Sequence, residues 1–465
     1  MTDKKKKIGL GTALIPVIFL IVALSLTIGV FKQPPHIPLI GAAAVAACIA
    51  IILKHPWKEI HEGMVQGITL AMGAILILMV VGTMIGTWIM GGIVPSMIYY
   101  GLKVLSPGIF LVATLIICSI VSLGTGSSWS TAGTVGVALV GVGQGLGVPV
   151  AMVAGAIISG AYFGDKMSPL SDTTNLAPAV AGTDLFSHIR HMVYTTAPGY
   201  IISIILYGLL GTRFSGGGLK AENIEVILTT IKSNFFIHPI LLLPPVLVIV
   251  MVVKKIPPLP SLLGGTVLGG IFAIISQSKS VAGVIQAAQS GYVSQSGVMM
   301  VDDLLTRGGL ESMMTTVALI ICALSFGGIM EKTGMLEVLA RSLLERVKRT
   351  GSLVATTIFS CIGLNAIASD QYIAIVIPGR MYKNAFDERG LHPKNLSRCL
   401  EDSGTLTSPL IPWNSCGAFM GATLGVNPLL YLPYAFLNLS NPLVSLFYGY
   451  TGITMEKVKE PDEEK

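Results

Sequence analysis

Two aspartates, Asp165 and Asp172, stand in the stretch Gly164–Asn175, which reads GDKMSPLSDTTN. With them come Lys166, Ser168, Ser171, Thr173, Thr174 and Asn175. Carboxylates, hydroxyls and amide oxygens are ligands for hard cations, and a carboxylate also carries a proton. Pro169 removes a backbone donor and disfavours helix at Ser168, which frees carbonyls as further ligands. Apolar runs flank the stretch, Pro149–Gly160 before it and Ala197–Leu210 after it. If these runs cross a bilayer, the polar residues lie at membrane depth, where each is costly unless paired, solvated or ligated. The stretch is expected to be a helix broken at a site for an ion or a small anion.

Three further polar islands interrupt apolar sequence: Ser122–Thr131 (SLGTGSSWST), Asn365–Gln371 (NAIASDQ) and Asp402–Asn414 (DSGTLTSPLIPWN). A proton-coupled ion site needs a carboxylate that desolvation raises and a bound cation lowers. Asp172 ranks first, because hydroxyl and amide residues surround it and no base adjoins it. Asp165, beside Lys166, is read either as a ligand or as half of a structural ion pair. Asp370 and Asp402 follow, and the alternative for each acid is a solvated loop residue. Thr125 and Ser128 read equally well as helix packing and as ligands. Gly82/Gly86, Gly143/Gly147 and Gly265/Gly269 have the spacing of close helix contacts. The seven histidines fall at predicted boundaries or loops and read as interfacial; pH sensing by His188 and His191 is the lesser reading. The six cysteines are scattered without a CxxC pair and read as small packing residues. No HExxH, GxSxG or GxxxxGK is present, which argues against an intramembrane enzyme. No cofactor is expected.

These residues need elements that hold them in a membrane. The chain has 465 residues, 52% hydrophobic and 12% charged, against about 25% charged in soluble domains. The apolar runs are continuous rather than alternating, so the fold class is an all-α polytopic membrane protein and not a barrel. The net charge of +6 gathers in short clusters at Lys4–Lys7, Lys254–Lys255 and Arg341 to Arg349. Such clusters mark cytoplasmic span ends and not nucleic-acid binding. Spans are predicted at Ile8–Val30, Ile37–Leu53, Met64–Met90, Pro149 to Asp165, Tyr194–Gly211, Phe235–Val253, Leu259–Ile275, Ser312–Met330, Leu400–Leu424 and Leu430–Tyr450. Pro107–Gly147 and Gly351–Gly379 read as helical hairpins that either span twice or re-enter. Residues 94–106 and 334–348 read as interfacial amphipathic helices. The positive-inside rule places the N-terminus, Lys54–Glu62, Arg190, Lys254–Lys255, Lys332–Arg349, Arg380–Arg398 and the C-terminus on the cytoplasmic side of the cell membrane.

The chain also repeats itself. Leu111-Val-Ala-Thr114 recurs as Leu353-Val-Ala-Thr356, 353 − 111 = 242 residues on. Ser168-Pro-Leu170 recurs as Ser408-Pro-Leu410 at 240, and Gly63-Met-Val-Gln66 resembles Gly283-Val-Ile-Gln286 at 220. The change of offset predicts about 22 extra residues (242 − 220) near Gln289–Leu310. Arg380–Arg398 is basic where its counterpart is uncharged, which predicts inverted-topology repeats with paired hairpins and broken helices, a design for alternating access rather than an open channel. The predicted layout is a basic tail and first helix over 1–36, repeat 1 over 37–212 (hairpin 107–147, broken helix 149–175) and a linker over 213–233. Repeat 2 follows over 234–453 (hairpin 351–379, broken helix 400–424), then a charged tail over 454–465. At these offsets Asp370 meets Ser128, Asp402 meets Tyr162, and Asp165 and Asp172 meet Thr405 and Pro412.

The run GDKMSPLSDTTNLAP at 164–178, with GTGSSWSTAGT at 124–134, resembles the NhaC-type Na⁺/H⁺ antiporter family. The similarity runs over nearly the whole chain. It implies two inverted repeats, a homodimer with scaffold and moving parts, and Na⁺ export in exchange for H⁺. It places the ion site at Asp165, Ser168, Asp172 and Asn175. Asp370, Asp402, Thr407, Ser408 and Asn414 follow from internal symmetry only. The family also holds exchangers of proton-loaded malate for Na⁺ and lactate. A carboxylate substrate favours a basic residue in the site, and the membrane-depth islands offer only Lys166, which tilts the reading toward cation/proton exchange.

Overall fold

The computed structural model describes residues 8–214, 221–344, 347 and 349–458. The Lys4–Lys7 cluster, residues 215–220 of the predicted linker and residues 459–465 of the charged tail lie outside them. The described residues form helices joined by short turns, with two isolated backbone bridges, Tyr292 to Arg307 and Leu391 to Lys457.

The first half runs α1 (Leu10–Leu24, prolonged by a π-helical turn Ser25–Val30), α2 (His36–Ile52), α3 (Trp57–Leu70), α4 (Met72–Met90) and α5 (Ile93–Val104). Then come α6 (Pro107–Thr125), α7 (Ser128–Thr131), α8 (Val137–Gly145), α9 (Val150–Met167), α10 (Asp172–Ala181) and α11 (Leu185–Thr212). The second half runs α12 (Ala221–Asn234), α13 (Leu243–Val253), α14 (Pro258–Ile275), α15 (Val281–Ser290), α16 (Met299–Leu305), α17 (Leu310–Lys332) and α18 (Met335–Leu344). It continues with α19 (Thr350–Ile367), α20 (Gln371–Asp387), α21 (Pro393–Leu400), α22 (Ser415–Leu424), α23 (Pro428–Tyr431) and α24 (Phe436–Thr451).

Among the described residues seven helices are long and apolar enough to cross a membrane, fewer than the ten predicted spans. The differences have local causes. Met64–Met90 is interrupted at Ala71, which separates α3 from α4. Phe235–Val253 bends by 97° from the preceding helix, where His238 and Pro239 open a new start. Leu430–Tyr450 is interrupted by a short turn at Leu432–Tyr434. Of the broken helices, α10, α21 and α22 are too short, and α9 has 18 residues but carries the polar Asp165 and Lys166 at its end.

Helix boundaries recur at one interval. α6, α7, α9 and α10 begin at Pro107, Ser128, Val150 and Asp172; α19, α20, α21 and α22 begin at Thr350, Gln371, Pro393 and Ser415. Each pair is 243 residues apart (350 − 107, and likewise for the rest). Three residues therefore separate the SPL anchors from the structural register. The predicted insertion is real: residues 291–309 lie between α15 and α17, where Ala71 alone separates α3 from α4. The halves also interlock, because α2 packs along α17 and α14 along α4.

In hydrocarbon no hydrophobic drive pulls helices together, so close packing must. The predicted contacts at Gly82, Gly86, Gly143, Gly265 and Gly269 serve this purpose, while Gly147 lies in the turn after α8 with a left-handed φ of 74°. A Cβ at Gly86 would stand 2.0 Å from the Ala287 carbonyl oxygen, and one at Gly269 would stand 2.7 Å from Thr87 Oγ1. Trp88, buried between α4 and α14, donates its indole N–H to the Gly265 carbonyl at 2.8 Å. The predicted segment 94–106 falls on α5 and the described part of 334–348 falls on α18, residues 345, 346 and 348 lying outside the described residues; α5 buries one face against α8. No two cysteines are bonded to each other.

Candidate functional site

The first break is built as its sequence suggests. Pro169 follows Ser168, whose extended backbone (φ −86°, ψ 129°) ends α9 at Met167. Ser171 caps α10 by accepting from the Thr174 N–H at 3.4 Å. The carbonyls freed by the break are not vacant. Thr174 Oγ1 donates to those of Asp165 and Lys166, both at 3.0 Å. Asn175 Nδ2 donates to those of Pro169 at 2.9 Å and Ser171 at 2.6 Å. Thr174 and Asn175 thus hold the break closed, and the carbonyls offered to a cation in the sequence reading already accept hydrogen bonds. Ser168 is buried and its Oγ accepts from the Leu170 N–H at 3.2 Å.

The predicted hairpin 107–147 is α6, a tip at Gly126–Ser127, and a return through α7 and α8. Gly126 is left-handed (φ 67°), and a Cβ there would stand 2.7 Å from Leu170 Cβ, so the tip lies directly on the break. Ser128 donates to Asp165 Oδ2 twice, from Oγ at 2.6 Å and from its N–H at 3.2 Å. Asp165 Oδ1 is buried without a partner among the described residues. Thr125 makes only long contacts within its own tip, to the Ser122 and Ser127 carbonyls.

The second tip is Ala368–Asp370, between α19 and α20, with Ser369 left-handed (φ 61°). Asp370 Oδ1 caps α20 by accepting from the Ile373 N–H at 3.0 Å. The broken helix begins at Pro393, earlier than predicted. It runs through a π-turn at Glu401–Thr405 and a 3-10 turn at Ser408–Leu410, then breaks before α22. Thr407, Ser408 and Asn414 knit this break to its tip. Asn365 Nδ2 donates to Thr407 Oγ1 at 3.1 Å, Ser408 Oγ donates to Gln371 Oε1 at 2.7 Å, and Asn414 Nδ2 donates to the Asn365 carbonyl at 3.1 Å.

Some of these bonds recur at the interval of 243. Ser122 Oγ donates to the Ala161 carbonyl at 2.5 Å, and Asn365 Nδ2 to the Gly404 carbonyl at 2.7 Å. The Ser128–Asp165 bond has its counterpart in Gln371–Ser408.

Asp165, Asp172 and Asp370 line one cavity of about 650 Å³ between the two tips and the first break. Asp172 is exposed to it; its Oδ1 accepts from the Thr173 N–H at 3.0 Å, and its Oδ2 accepts from the Tyr372 hydroxyl. Thr125, Gln371 and Tyr372 also line it, and Lys255 stands on the opposite wall with Leu70 and Ala71. Ser168, Asn175, Thr407, Ser408 and Asn414 are beside the cavity's elements but not on its wall.

Asp402 and Lys166 are elsewhere. Both are fully buried and they pair with each other, so the predicted Asp165–Lys166 pair does not form. Thr195 Oγ1 donates to the same Asp402 oxygen at 2.9 Å. With its amide oxygen toward the lysine, Asn441 accepts from Lys166 Nζ at 2.9 Å. Asp402 therefore faces a lysine and not the cavity. His188 and His191 are also buried and not interfacial, bonded to Ser397 Oγ at 2.7 Å and Asn395 Oδ1 at 3.2 Å. Sequence reasoning missed Tyr372, Gln371, Lys255 and Glu401. The 243-residue register is the signal that points to Gln371, opposite Ser128. Tyr372 directly follows the Asn365–Gln371 island.

Two hairpin tips and two broken helices meeting at a carboxylate-lined cavity, inside an all-helical membrane protein, are the build of a secondary transporter. Residues 160–453 match the model of the Na⁺/H⁺ antiporter family, and full-length relatives agree. The chain is 40% identical over 456 residues to the Na⁺/H⁺ antiporter NhaC of Alkalihalophilus pseudofirmus, covering 98% of each. It is 38% identical over 435 residues to the malate-2H⁺/Na⁺-lactate antiporter of Bacillus subtilis, covering 94% of this chain and 93% of that one. It is also 38% identical over 464 residues to the arginine/ornithine antiporter ArcD of Halobacterium salinarum, covering 99% and 96%. The chain belongs to the Na⁺/H⁺ antiporter family.

Proposed function

We propose that this protein exports Na⁺ in exchange for H⁺ across the cell membrane by alternating access, and that it performs no catalysis. The observation that carries this reading is the wall of the cavity: three carboxylates, Asp165, Asp172 and Asp370, with one oxygen of Asp165 left without a partner. Three carboxylates facing one basic residue, Lys255, leave an excess of negative charge, which suits a hard cation. Lys166 is not available to neutralise them, because Asp402 holds it.

The cation site is assigned to Asp165, Asp172 and Asp370, with Thr125 and Ser128 beside them. Asp402 is left out. The recurring helix boundaries support two repeats, and the crossed packing of α2 on α17 and α14 on α4 supports including α1 and α2 in the first. Inversion of the repeats, a homodimer, and cytoplasmic N- and C-termini complete the proposal. Lys332 Nζ donates to Gln66 Oε1 at 3.1 Å, which ties Lys332, assigned to the cytoplasmic side, to the start of the predicted Met64–Met90 span that follows the cytoplasmic Lys54–Glu62. With Lys255 also on that side, the cavity is inward-open.

The second reading is exchange of an organic anion, as in the relatives that carry malate and lactate or arginine and ornithine. Lys255 on the cavity wall is the observation that favours it, since a volume of about 650 Å³ far exceeds a bare cation. The test is purified protein in liposomes with a trapped pH dye and an imposed proton gradient. Dissipation by Na⁺ alone establishes cation/proton exchange. Dissipation that requires malate, lactate or arginine moves the function to the second reading.

A further inference from the structure

Glu401 opens the π-turn Glu401–Thr405, immediately before the ion-paired Asp402. It is 0% exposed. Neither of its carboxylate oxygens completes a well-formed hydrogen bond among the described residues, and the one donor beside them is the Thr405 hydroxyl, four residues on. A π-turn inside a helix is a frequent feature of functional sites.

The cations nearby are already engaged. Lys166, from α9, pairs with Asp402 and faces Asn441. Arg398, from α21, donates from Nη1 to Thr454 and lies over the Tyr448 ring of α24, while its Nε is buried without a partner among the described residues. Of the other elements packed on the turn, α19 carries Cys361, α21 carries Cys399, α9 carries Asp165, and α20 carries Tyr382 together with Arg380 and Lys383, the last of which lies against Gly182. Asp172 of α10 faces the cavity. An ionised Glu401 would thus be a second buried anion competing with Asp402 for one ammonium. A buried carboxylate short of donors avoids that cost by holding a proton.

On the reading of Na⁺/H⁺ exchange, we propose that Glu401 carries the coupling proton, in a buried compartment separate from the cation cavity. Asp165 and Lys166 are consecutive residues, so the compartment and the cavity adjoin across one turn of α9. When the Glu401 O–H bond breaks, its proton passes to water on the releasing side and a carboxylate is left. That added negative charge draws Na⁺ to Asp165. Reprotonation removes the charge and favours Na⁺ release. Proton and cation then oppose each other without sharing a ligand, which is the linkage an exchanger needs.

The test uses the full chain in liposomes and two assays. The first is exchange of radioactive Na⁺ for Na⁺ without a pH gradient, which needs the cation site but no net proton movement. The second is proton flux driven by a Na⁺ gradient. Wild-type protein that shows neither disproves Na⁺/H⁺ exchange itself, before Glu401 is at issue. Glu401→Gln mimics the protonated side chain. It is expected to keep Na⁺/Na⁺ exchange, with a higher half-saturating Na⁺ concentration because the negative charge is gone, and to lose Na⁺-driven proton flux to the level of protein-free liposomes, whereas Glu401→Asp keeps both. Equal reduction of both assays in Glu401→Gln and Glu401→Asp makes the residue structural and overturns the proposal. So does a Glu401→Gln protein whose proton flux is undiminished.

Discussion

The buried pair of Lys166 and Asp402 allows the sharpest quantitative prediction. Both side chains are 0% exposed. Lys166→Met leaves Asp402 with one donor, Thr195 Oγ1 at 2.9 Å, and with Oδ2 still unpartnered. The lost charge-assisted bond is worth about 1.5–3 kcal/mol. The uncompensated charge raises the total to about 3–5 kcal/mol, as for other buried pairs with one partner removed. Asp402→Leu strands the lysine and carries a similar cost. The double variant Lys166→Met/Asp402→Leu leaves no charge behind, and apolar replacement of a buried pair is often neutral or stabilising. Its loss is therefore expected to be smaller than either single loss, so the cycle is strongly non-additive. Reversible unfolding in mixed lipid–detergent micelles, read by tryptophan fluorescence, measures all four proteins. If Lys166→Met unfolds within about 1 kcal/mol of wild type, the scale of an exposed pair, the pair is not a desolvated ion pair and the argument fails. The double variant also tests the exclusion of Asp402 from the cation site, because Na⁺/Na⁺ exchange should survive in it.

Asp172→Asn is expected to abolish Na⁺-driven proton flux while the protein still folds and inserts; full activity in that variant removes Asp172 from the site. Gly126→Ala puts a Cβ 2.7 Å from Leu170 at a left-handed backbone (φ 67°), for a loss of about 1–3 kcal/mol and of transport. Gly124→Ala is its control, since the nearest atom there is Val253 Cγ2 at 3.5 Å; equal effects of the two on the thermal midpoint refute the tip contact. Asp302, in the inserted 291–309 segment, accepts from Ser294 Oγ and the Ser296 N–H, each at 2.7 Å, and these bonds hold its carboxyl below the ordinary range. A lowered folded value means the stabilisation is present above the ordinary value of about 3.9 and is lost as pH falls through the folded one. The protection of residues 291–309 against hydrogen exchange, taken relative to the intrinsic rate at each pH, should fall on acidification in wild type and be less pH-dependent in Asp302→Asn.

Much of the architecture is legible in sequence because a membrane forces it to be. Charge depletion, Pro169 after Ser168, and the glycine-rich tip at Gly124–Gly126 each have one structural use at membrane depth. The insertion before α17 was readable from a change of offset. Pairings were not readable, because they depend on where side chains point after two helices have broken. Lys166 adjoins Asp165 in the chain, yet the end of α9 turns it toward Asp402, 236 residues away. Asn175 looks like a ligand by composition, but the break needs its amide to satisfy the Pro169 and Ser171 carbonyls. His188 and His191 looked interfacial because α11 extends to Leu185, well beyond the apolar run that was visible.

The register of 243 gives the distribution of charge a physical sense. In it Asp165 stands opposite Ser408, Asp172 opposite Ser415, Asp370 opposite Ser127 and Asp402 opposite Ser159. Each of these four acids meets a hydroxyl in the other half, while Glu401 falls opposite Ile158, so the hydrogen-bonding frame is nearly symmetric but the ionisable groups are not. Ser128 bonded to Asp165 and Gln371 bonded to Ser408 show what this achieves: the same tip-to-helix link, once to an anion and once to a neutral hydroxyl. If both partners were carboxylates, up to eight acids would crowd the centre, and their mutual repulsion would keep several protonated at neutral pH. One acid per symmetric pair leaves each free to respond to a single cation or proton. Replacing Ser408 with Asp should therefore impair exchange, although it restores the symmetry of the pair.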